Sequence, residues 1–133
     1  MAAWTSWPPT CPGSSPRLAK LNPAPTRDIP VLIGGGGEKK TLKLVARHAD
    51  IWHTFVSGAE LDHKLAVLAG HCETIGRDVN EIEVSVAVRG NPVEDAQGVY
   101  DQGARLITYG VGGPEFDLEP LKALVAWRDK VNN

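Results

Sequence analysis

Two hydrophobic periods alternate along residues 29–131, and their order predicts the fold class. Apolar runs rich in β-branched or aromatic residues, typical of buried strands, occupy residues 30–34, 50–56, 82–88 and 104–109. After each run, apolar residues recur every three or four positions, which predicts helices at about residues 38–48, 58–75, 93–102 and 118–131. The third helix is expected to be short because Gly98 weakens it. Four strand–helix units predict an α/β fold with a parallel sheet.

Four consecutive glycines separate the first predicted strand from the first predicted helix. This glycine loop consists of Gly34, Gly35, Gly36 and Gly37. Because glycine lacks a Cβ, its backbone N–H groups can come close to an anion, and a following helix directs its positive dipole end at the same place. The order predicts a phosphate-binding loop, with a flexible turn that binds nothing as the alternative. The spacing matches neither the P-loop nor the dinucleotide-binding fingerprint.

The carboxyl ends of the predicted strands are the expected place for a site, because ligands of parallel α/β folds gather there. Glycine is concentrated at two of these ends, residues 34–37 and 110–113. His53, near the end of the second strand, is the candidate proton donor, with a structural histidine as the alternative. Arg89, after the third strand, either meets an anion or forms a surface ion pair.

The remaining titratable and nucleophilic residues give no support to other chemistries. No metal site is predicted, because no metal-ligand spacing or carboxylate cluster accompanies the four histidines, His48, His53, His63 and His71. Ser57, Ser85 and Thr108 form no nucleophile elbow or triad pattern, so hydrolysis is not indicated.

Composition sets limits on the class of protein. The chain has 133 residues, 42% of them apolar, which suffices for one domain with a core. The net charge of −2 and the lack of a Lys/Arg run argue against nucleic acid as a partner. No apolar run approaches the ~20 residues of a membrane helix, and no secretory signal opens the sequence. Cys11 and Cys72 lie far apart, so reduced thiols and a soluble, cytoplasmic protein are expected.

The first residues differ from the rest in their proline content. Seven of the ten prolines lie within the first thirty residues, and no helical or strand period is present there. Proline at this density removes backbone donors and forbids helix. The sequence therefore predicts an extended or disordered segment over residues 1–26, followed by one domain over residues 27–133.

Several short stretches, taken in order, carry a family resemblance. They read PVLIGGGGEKKTL at 30–42, ARHADIW at 46–52, HC at 71–72, IGRD at 75–78, EIEVS at 81–85 and AWRD at 126–129. In this combination the chain resembles the bacterial luciferase-like monooxygenase family over approximately residues 18–130. It looks most like the branch that uses the deazaflavin coenzyme F-420.

The resemblance implies a (β/α)8 TIM-type barrel and an oxidoreductase or monooxygenase that acts on a small organic substrate. The implied cofactor is FMN or the deazaflavin coenzyme F-420. In such enzymes the loop after the fifth strand holds the cofactor phosphate, which makes Gly34, Gly35, Gly36 and Gly37 the implied cofactor-binding residues. The next strand would then be the sixth, with Trp52 or His53 near the cofactor ring or the substrate.

The same resemblance implies that only the C-terminal half of the barrel is present. A full member has roughly 250 residues or more, and nothing here corresponds to the first four strands. We therefore expect a truncated form whose activity on its own is in question. Four open parallel strands would expose two edges and an inner face, and two copies could close one barrel as a homodimer. A non-catalytic phosphate- or flavin-binding module and a structural remnant that self-associates are the alternatives.

Overall fold

A computed structural model describes Arg27 and residues 29–133, and the chain divides after Pro30 into two units. The helices and strands of the described residues all lie in the second unit, Val31–Asn133. In chain order they are β1 (Leu32–Gly34), α1 (Thr41–His48), β2 (Ile51–Thr54), α2 (Gly58–Ile75), a 3-10 helix (Val79–Glu81), β3 (Glu83–Val88), α3 (Pro92–Asp101), β4 (Leu106–Tyr109) and α4 (Glu119–Val131). The extended or disordered segment predicted over residues 1–26 lies outside the described residues.

The four strands form one parallel sheet in the order β1-β2-β3-β4, so each strand pairs with its neighbour along the chain. Parallel neighbours require a crossover, which α1, α2 and α3 supply. One register row crosses the whole sheet, because Gly34 pairs with His53, His53 with Ser85, and Ser85 with Leu106. The α/β fold of four parallel strand–helix units, consistent with part of a TIM barrel, is confirmed.

The sheet has two unlike faces, because successive side chains along a strand point to opposite sides. We call one the helix-facing face. Its Trp52, Val86 and Val88 are buried in a single core cluster with Leu42 and Leu61 of the helices. The other, the inner face, carries the side chains that alternate with these, namely Leu32, Ile51, His53, Ser85, Leu106 and Thr108. In a closed barrel this second face would point to the interior.

Two helix boundaries differ from the sequence-based prediction. Helix α1 begins at Thr41, three residues later than predicted, because the N–H of Leu42 donates to the carbonyl of Gly37 across a wide turn (2.9 Å). Helix α3 begins at Pro92, one residue earlier than predicted, and runs for ten residues through Gly98; the Asn91 side chain caps its start by accepting from the N–H groups of Val93 and Glu94.

The start of α2 is held by Gln102, the residue that follows the end of α3. Ser57 occupies the N-cap position, but its side chain makes no capping hydrogen bond. Instead, Gln102 clamps Gly58, accepting from its N–H (3.0 Å) and donating to its carbonyl (2.8 Å). The other end matches the prediction, since Gly76 ends the helix in a left-handed conformation with φ of 70°. None of the helices in the described residues is long and apolar enough to cross a membrane.

Candidate functional site

The glycine loop lies at the carboxyl end of β1, directly before the turn that leads into α1. Gly35 adopts a φ of 116°, which an L side chain rarely tolerates. Its N–H donates to the carbonyl of His53 (3.0 Å), so the pairing of β1 with β2 continues one residue into the loop. One of the four loop amides is therefore engaged by the sheet.

The next two amides are available to a ligand. Within residues 29–133, the backbone N–H groups of Gly36 and Gly37 have no backbone acceptor. A Cβ at Gly37 would approach Oγ1 of Thr41 to 2.9 Å, and one at Gly36 would lie 3.4 Å from Cε of Lys64. Because a side chain at either position would crowd its neighbour, glycine allows the backbone of the loop to lie this close to Thr41 and Lys64.

Trp52 supports the loop from the helix-facing side of the sheet. Its side chain is fully buried in the core, and its indole Nε1–H donates to the carbonyl of Gly35 (2.8 Å). This bond ties the loop to β2 through the carbonyl of Gly35. A contact of Trp52 with a cofactor ring stays a prediction.

Lys64 brings positive charge to the loop from α2. Its Nζ lies 3.9 Å from the position that a Cβ on Gly36 would take, and 2.9 Å from Oε1 of Glu38. His63 Nε2 lies 3.2 Å from the same carboxylate oxygen. The hydrogen bond from Lys64 is the main reason that the pKa of the Glu38 carboxyl is lowered from its ordinary value. The loop therefore adjoins a lysine that is already paired with a carboxylate.

A second group of residues lies on the inner face, at the ends of β2 and β3. His53 Nδ1 is hydrogen-bonded to the hydroxyl of the buried Ser85 (2.8 Å). The His53 ring meets the Phe55 ring edge to face, with centroids 5.1 Å apart and an interplanar angle of 82°. The guanidinium of Arg89 lies over this same Phe55 ring, 4.8 Å from its centroid. Hydrogen bond, aromatic contact and cation–π contact thus connect four residues in one line.

Three of these residues, His53, Phe55 and Arg89, border a cavity of about 460 Å³ at the carboxyl ends of β2, β3 and β4. The cavity is also lined by Ala87, Thr108 and Tyr109, and Arg89 is the one charged residue among its lining residues. Its volume falls in the range of small-molecule sites. A depression of about 370 Å³ along α4, bordered by Leu118, Leu121 and Val125, lies away from the strand ends, so we do not connect it with the site.

Comparison with known proteins assigns the family. A family model described as luciferase-like monooxygenase matches residues 2–122. The chain belongs to the luciferase-like monooxygenase family. The resemblance noted in the sequence is thereby confirmed, and the match begins earlier in the chain than the approximately 18–130 expected from the quoted stretches. No curated protein matches this chain.

The crystal structure of DmoA from Hyphomicrobium sulfonivorans aligns at 16% identity and a TM-score of 0.37. The alignment covers 56% of this chain and 17% of that one, so this luciferase-like chain spans a small part of the neighbour's length.

The structure brings some of the predicted site residues together and adds others. Gly34 and His53 are partners in the sheet register, so the glycine loop and the candidate proton donor lie at the same end of adjacent strands. Sequence reasoning missed Lys64 and Phe55 as members of this region of the luciferase-like chain. Lys64 reaches the loop only because α2 packs against α1, and the one sequence-level sign of it is a basic residue between the core leucines of a helix.

Proposed function

We propose that this chain forms the part of a luciferase-like oxidoreductase that holds the phosphate of a flavin-type cofactor. One observation carries the proposal: among residues 29–133, the N–H groups of Gly36 and Gly37 have no acceptor, and they lie at a strand–helix junction with the Lys64 ammonium beside them. Backbone donors combined with one lysine are a recurrent arrangement for binding phosphate. Family membership supports the same assignment, since oxidoreductase chemistry is shown at the level of the family.

The residues fit this role in complementary ways. Gly36, Gly37 and Lys64 would bind the phosphate, and Trp52 would keep the loop in place through the Gly35 carbonyl. When bound, FMN or the deazaflavin coenzyme F-420 supplies the redox chemistry, and the protein supplies binding and orientation. His53 would face the reacting groups, and the Ser85 hydroxyl fixes the orientation of its ring by bonding to Nδ1.

Glu38 would lower the affinity for phosphate, because its carboxylate already forms an ion pair with Lys64. A phosphate that enters the loop must share the lysine with the carboxylate or displace it, and like charges at short range repel. The exposed Lys39 and Lys40 at the preceding turn add positive charge nearby. We therefore propose a phosphate affinity that is moderated by Glu38.

The phosphate assignment is tested by comparing FMN with riboflavin, which has the same ring and lacks the phosphate. We expect FMN to bind about tenfold more tightly, a difference of about 1.4 kcal/mol. The advantage should disappear in Lys64→Gln and in Gly36→Asp, because the first removes the cation and the second adds a carboxylate. Gly98→Asp, at an exposed α3 position with open space around it, is the control for added charge. Fluorescence titration of both ligands measures the difference.

Equal affinity for FMN and riboflavin in the unchanged protein would refute the phosphate role of the loop. A parallel titration with the deazaflavin coenzyme F-420 identifies which cofactor binds more tightly. Turnover of reduced cofactor then separates the proposed enzyme from a non-catalytic binding module, because a module binds without consuming the cofactor. We propose the cytoplasm as its location, where the buried thiol of Cys72 would stay reduced.

The open sheet favours a second candidate role, self-association through closure of the barrel. In the part of the chain that the structure describes, the sheet has four parallel strands with β1 and β4 at its two edges, and large apolar side chains of the inner face are exposed. Two copies related by a two-fold axis along the barrel would pair β4 of each with β1 of the other and reach eight strands. Sedimentation of the full chain should give the mass of two copies, and Leu106→Lys should give one. A folded single copy in the unchanged chain would contradict this role.

A further inference from the structure

We propose that the cavity at the carboxyl ends of β2, β3 and β4 binds a small organic carboxylate, held by Arg89 at the carboxylate and by Phe55 at the apolar part. This inference deepens the proposed function, on which the ligand's role as a substrate rests. The binding itself can be tested without any cofactor.

The charge of Arg89 has no acidic partner in the part of the chain that the structure describes. Arg105, which also lies over an aromatic ring, donates two hydrogen bonds to the carbonyls of Tyr100 and Ala104. Arg89 makes no such bond among residues 29–133, and its guanidinium contacts the Phe55 ring. A guanidinium with its plane near a ring keeps its N–H groups free for a planar anion.

The walls of the cavity suit an apolar body attached to that anion. Ala87 and the exposed Phe55 ring provide apolar surface, Thr108 brings a hydroxyl group from the inner face of β4, and Tyr109 also borders the cavity. Asp and Glu are absent from the lining residues, so nothing there would repel a carboxylate. Two parallel N–H···O bonds from one guanidinium match a carboxylate, which selects this class over a neutral ligand.

Phe55 is held from both sides, which gives the cavity a defined shape. Its ring packs edge to face on His53, and His53 is anchored by the buried Ser85 hydroxyl. Arg89 completes the line on the other side of the ring. An arrangement that is ordered before the ligand arrives loses less conformational freedom on binding. The same line places the His53 ring beside the cavity that the carboxylate would enter.

The test is a titration of the full chain with benzoate, with neutral benzamide as the isosteric control and acetate as the control for the anion alone. Two-dimensional NMR spectra report on the ring signals of His53 and Phe55. We expect benzoate to shift both signals saturably and to bind about tenfold more tightly than benzamide or acetate. Arg89→Gln should weaken benzoate about tenfold and leave benzamide unchanged, and Arg89→Lys should recover part of the loss.

Two further variants make the outcome unambiguous. Arg105→Gln removes another exposed arginine that lies over a ring and should leave benzoate binding unchanged. Gly36→Asp, which impairs the proposed phosphate site, should also leave it unchanged, so failure of the glycine-loop proposal and failure of this one are distinguishable. Benzoate that shifts neither ring, or that binds equally well to Arg89→Gln, overturns the inference. Equal loss in Arg105→Gln overturns it as well, because the effect would then be one of general charge.

Discussion

The two faces of the sheet differ in how far their side chains are buried. On the helix-facing face, Trp52 is 0% exposed and Val86 is 1% exposed, because α1, α2 and α3 cover them. On the inner face, Leu32 is 50% exposed, and the Phe55 ring just beyond β2 is 61% exposed. Strands of a closed barrel are buried on both sides, so apolar residues on both faces are what a barrel requires. In this luciferase-like chain, the inner face thus has the apolar residues of a second core, and in the described residues these side chains are exposed to solvent.

The difference also separates stability from chemistry. The helix-facing face consists almost entirely of apolar side chains that pack into one cluster. The inner face and the strand ends carry the groups that can bind or transfer protons, including His53, Ser85 and Arg89. Residues that complete a core face are constrained by packing, and residues at the carboxyl ends of barrel strands are free to serve function.

The largest expected effect tests the two faces with one large aromatic from each. Trp52→Ala should lower the free energy of unfolding by about 3–5 kcal/mol, because it removes a fully buried side chain and leaves a cavity. Phe55→Ala should cost less than about 1 kcal/mol, because most of that ring is already in solvent. Urea unfolding, followed at a concentration where sedimentation gives a single copy, measures both values.

A milder substitution guards against complete unfolding of the tryptophan variant. Trp52→Phe retains most of the buried volume and loses the indole N–H that bonds to Gly35. It should fold and bind FMN more weakly than the unchanged protein. If Phe55→Ala were as destabilising as Trp52→Ala, the inner face would have to be covered, and the contrast between the faces would be wrong.

The next effect concerns a polar contact on the covered side. Arg77 donates to the carbonyls of Ala46 and Ala49 at the end of α1, both at 2.9 Å. A cation that satisfies the last carbonyls of a helix also complements its dipole. Arg77→Ala should therefore lower the free energy of unfolding by about 1.5–3 kcal/mol. Arg128→Ala, which breaks an exposed pair with Asp129, is the matched control and should change it by less than about 0.5 kcal/mol.

Arg77→Lys separates the contribution of the two guanidinium hydrogen bonds from that of the positive charge. Lysine retains the positive charge at the helix end but cannot bond both carbonyls in the same geometry. We expect a stability between those of the unchanged protein and Arg77→Ala. A lysine variant as stable as the unchanged protein would show that the charge alone is responsible.

The order of elements could be predicted from the sequence because it rests on local periods. Strand and helix alternate as predicted, and the glycine loop lies at the predicted junction. The exact ends were less predictable, since the delayed start of α1 depends on the turn from Gly37 to Leu42 and the cap of α2 depends on Gln102. Such contacts join residues that are distant in sequence or follow a turn whose geometry no periodicity encodes.

The candidate site was less predictable than the fold for the same reason. The pairing of His53 with Ser85 requires the register of β2 and β3, and the approach of Lys64 to Gly36 requires the packing of α2 on α1. The sequence correctly predicted that Arg89 follows the end of a strand. Its position over the Phe55 ring could be seen only in the structure. Residue types and spacing indicate candidates, and tertiary packing selects among them.

The reaction rates of single thiols compare the burial of the covered side with that of the inner face, one residue at a time. Cys72 on α2 is buried in the core cluster, and burial raises the pKa of its thiol from the ordinary value. Since the thiolate is the reactive form, Cys72 should react about a hundredfold more slowly in the native protein than in urea. With Cys11→Ser as background, Thr108→Cys at an exposed inner-face position should react in both states. Kinetics with a disulfide reagent measure this, and fast native reaction of Cys72 would contradict its burial.

The sign of the Cys72 shift also sets a pH dependence. Because the folded pKa is raised, the folded state holds its proton where the unfolded thiol has lost it. The free energy of unfolding should fall as pH rises above the ordinary pKa of a thiol. Cys72→Ala should lack this part of the alkaline slope, and an unchanged slope would show that other groups cause it.

The smallest expected effect on stability concerns Glu38, at the boundary between the covered side and the glycine loop. Its pKa is lowered, chiefly by the hydrogen bond from Lys64. A lowered pKa means that its contribution to stability is present above the ordinary pKa of the carboxyl and is lost as pH falls through the folded value. Glu38→Gln should therefore be slightly less stable than the unchanged protein at pH 7 and equally stable in acid, as urea unfolding at both pH values would show.

The same variant connects this small electrostatic effect to the proposed site. Removing the carboxylate from Lys64 leaves the ammonium free for a phosphate, so Glu38→Gln should bind FMN more tightly at pH 7 while its affinity for riboflavin stays the same. The gain should shrink as salt is added, because Glu38 is partly exposed and the interaction is screened. A variant that loses stability at neutral pH yet gains no affinity for FMN would place Lys64 in the packing of α2 against the loop and outside the phosphate site.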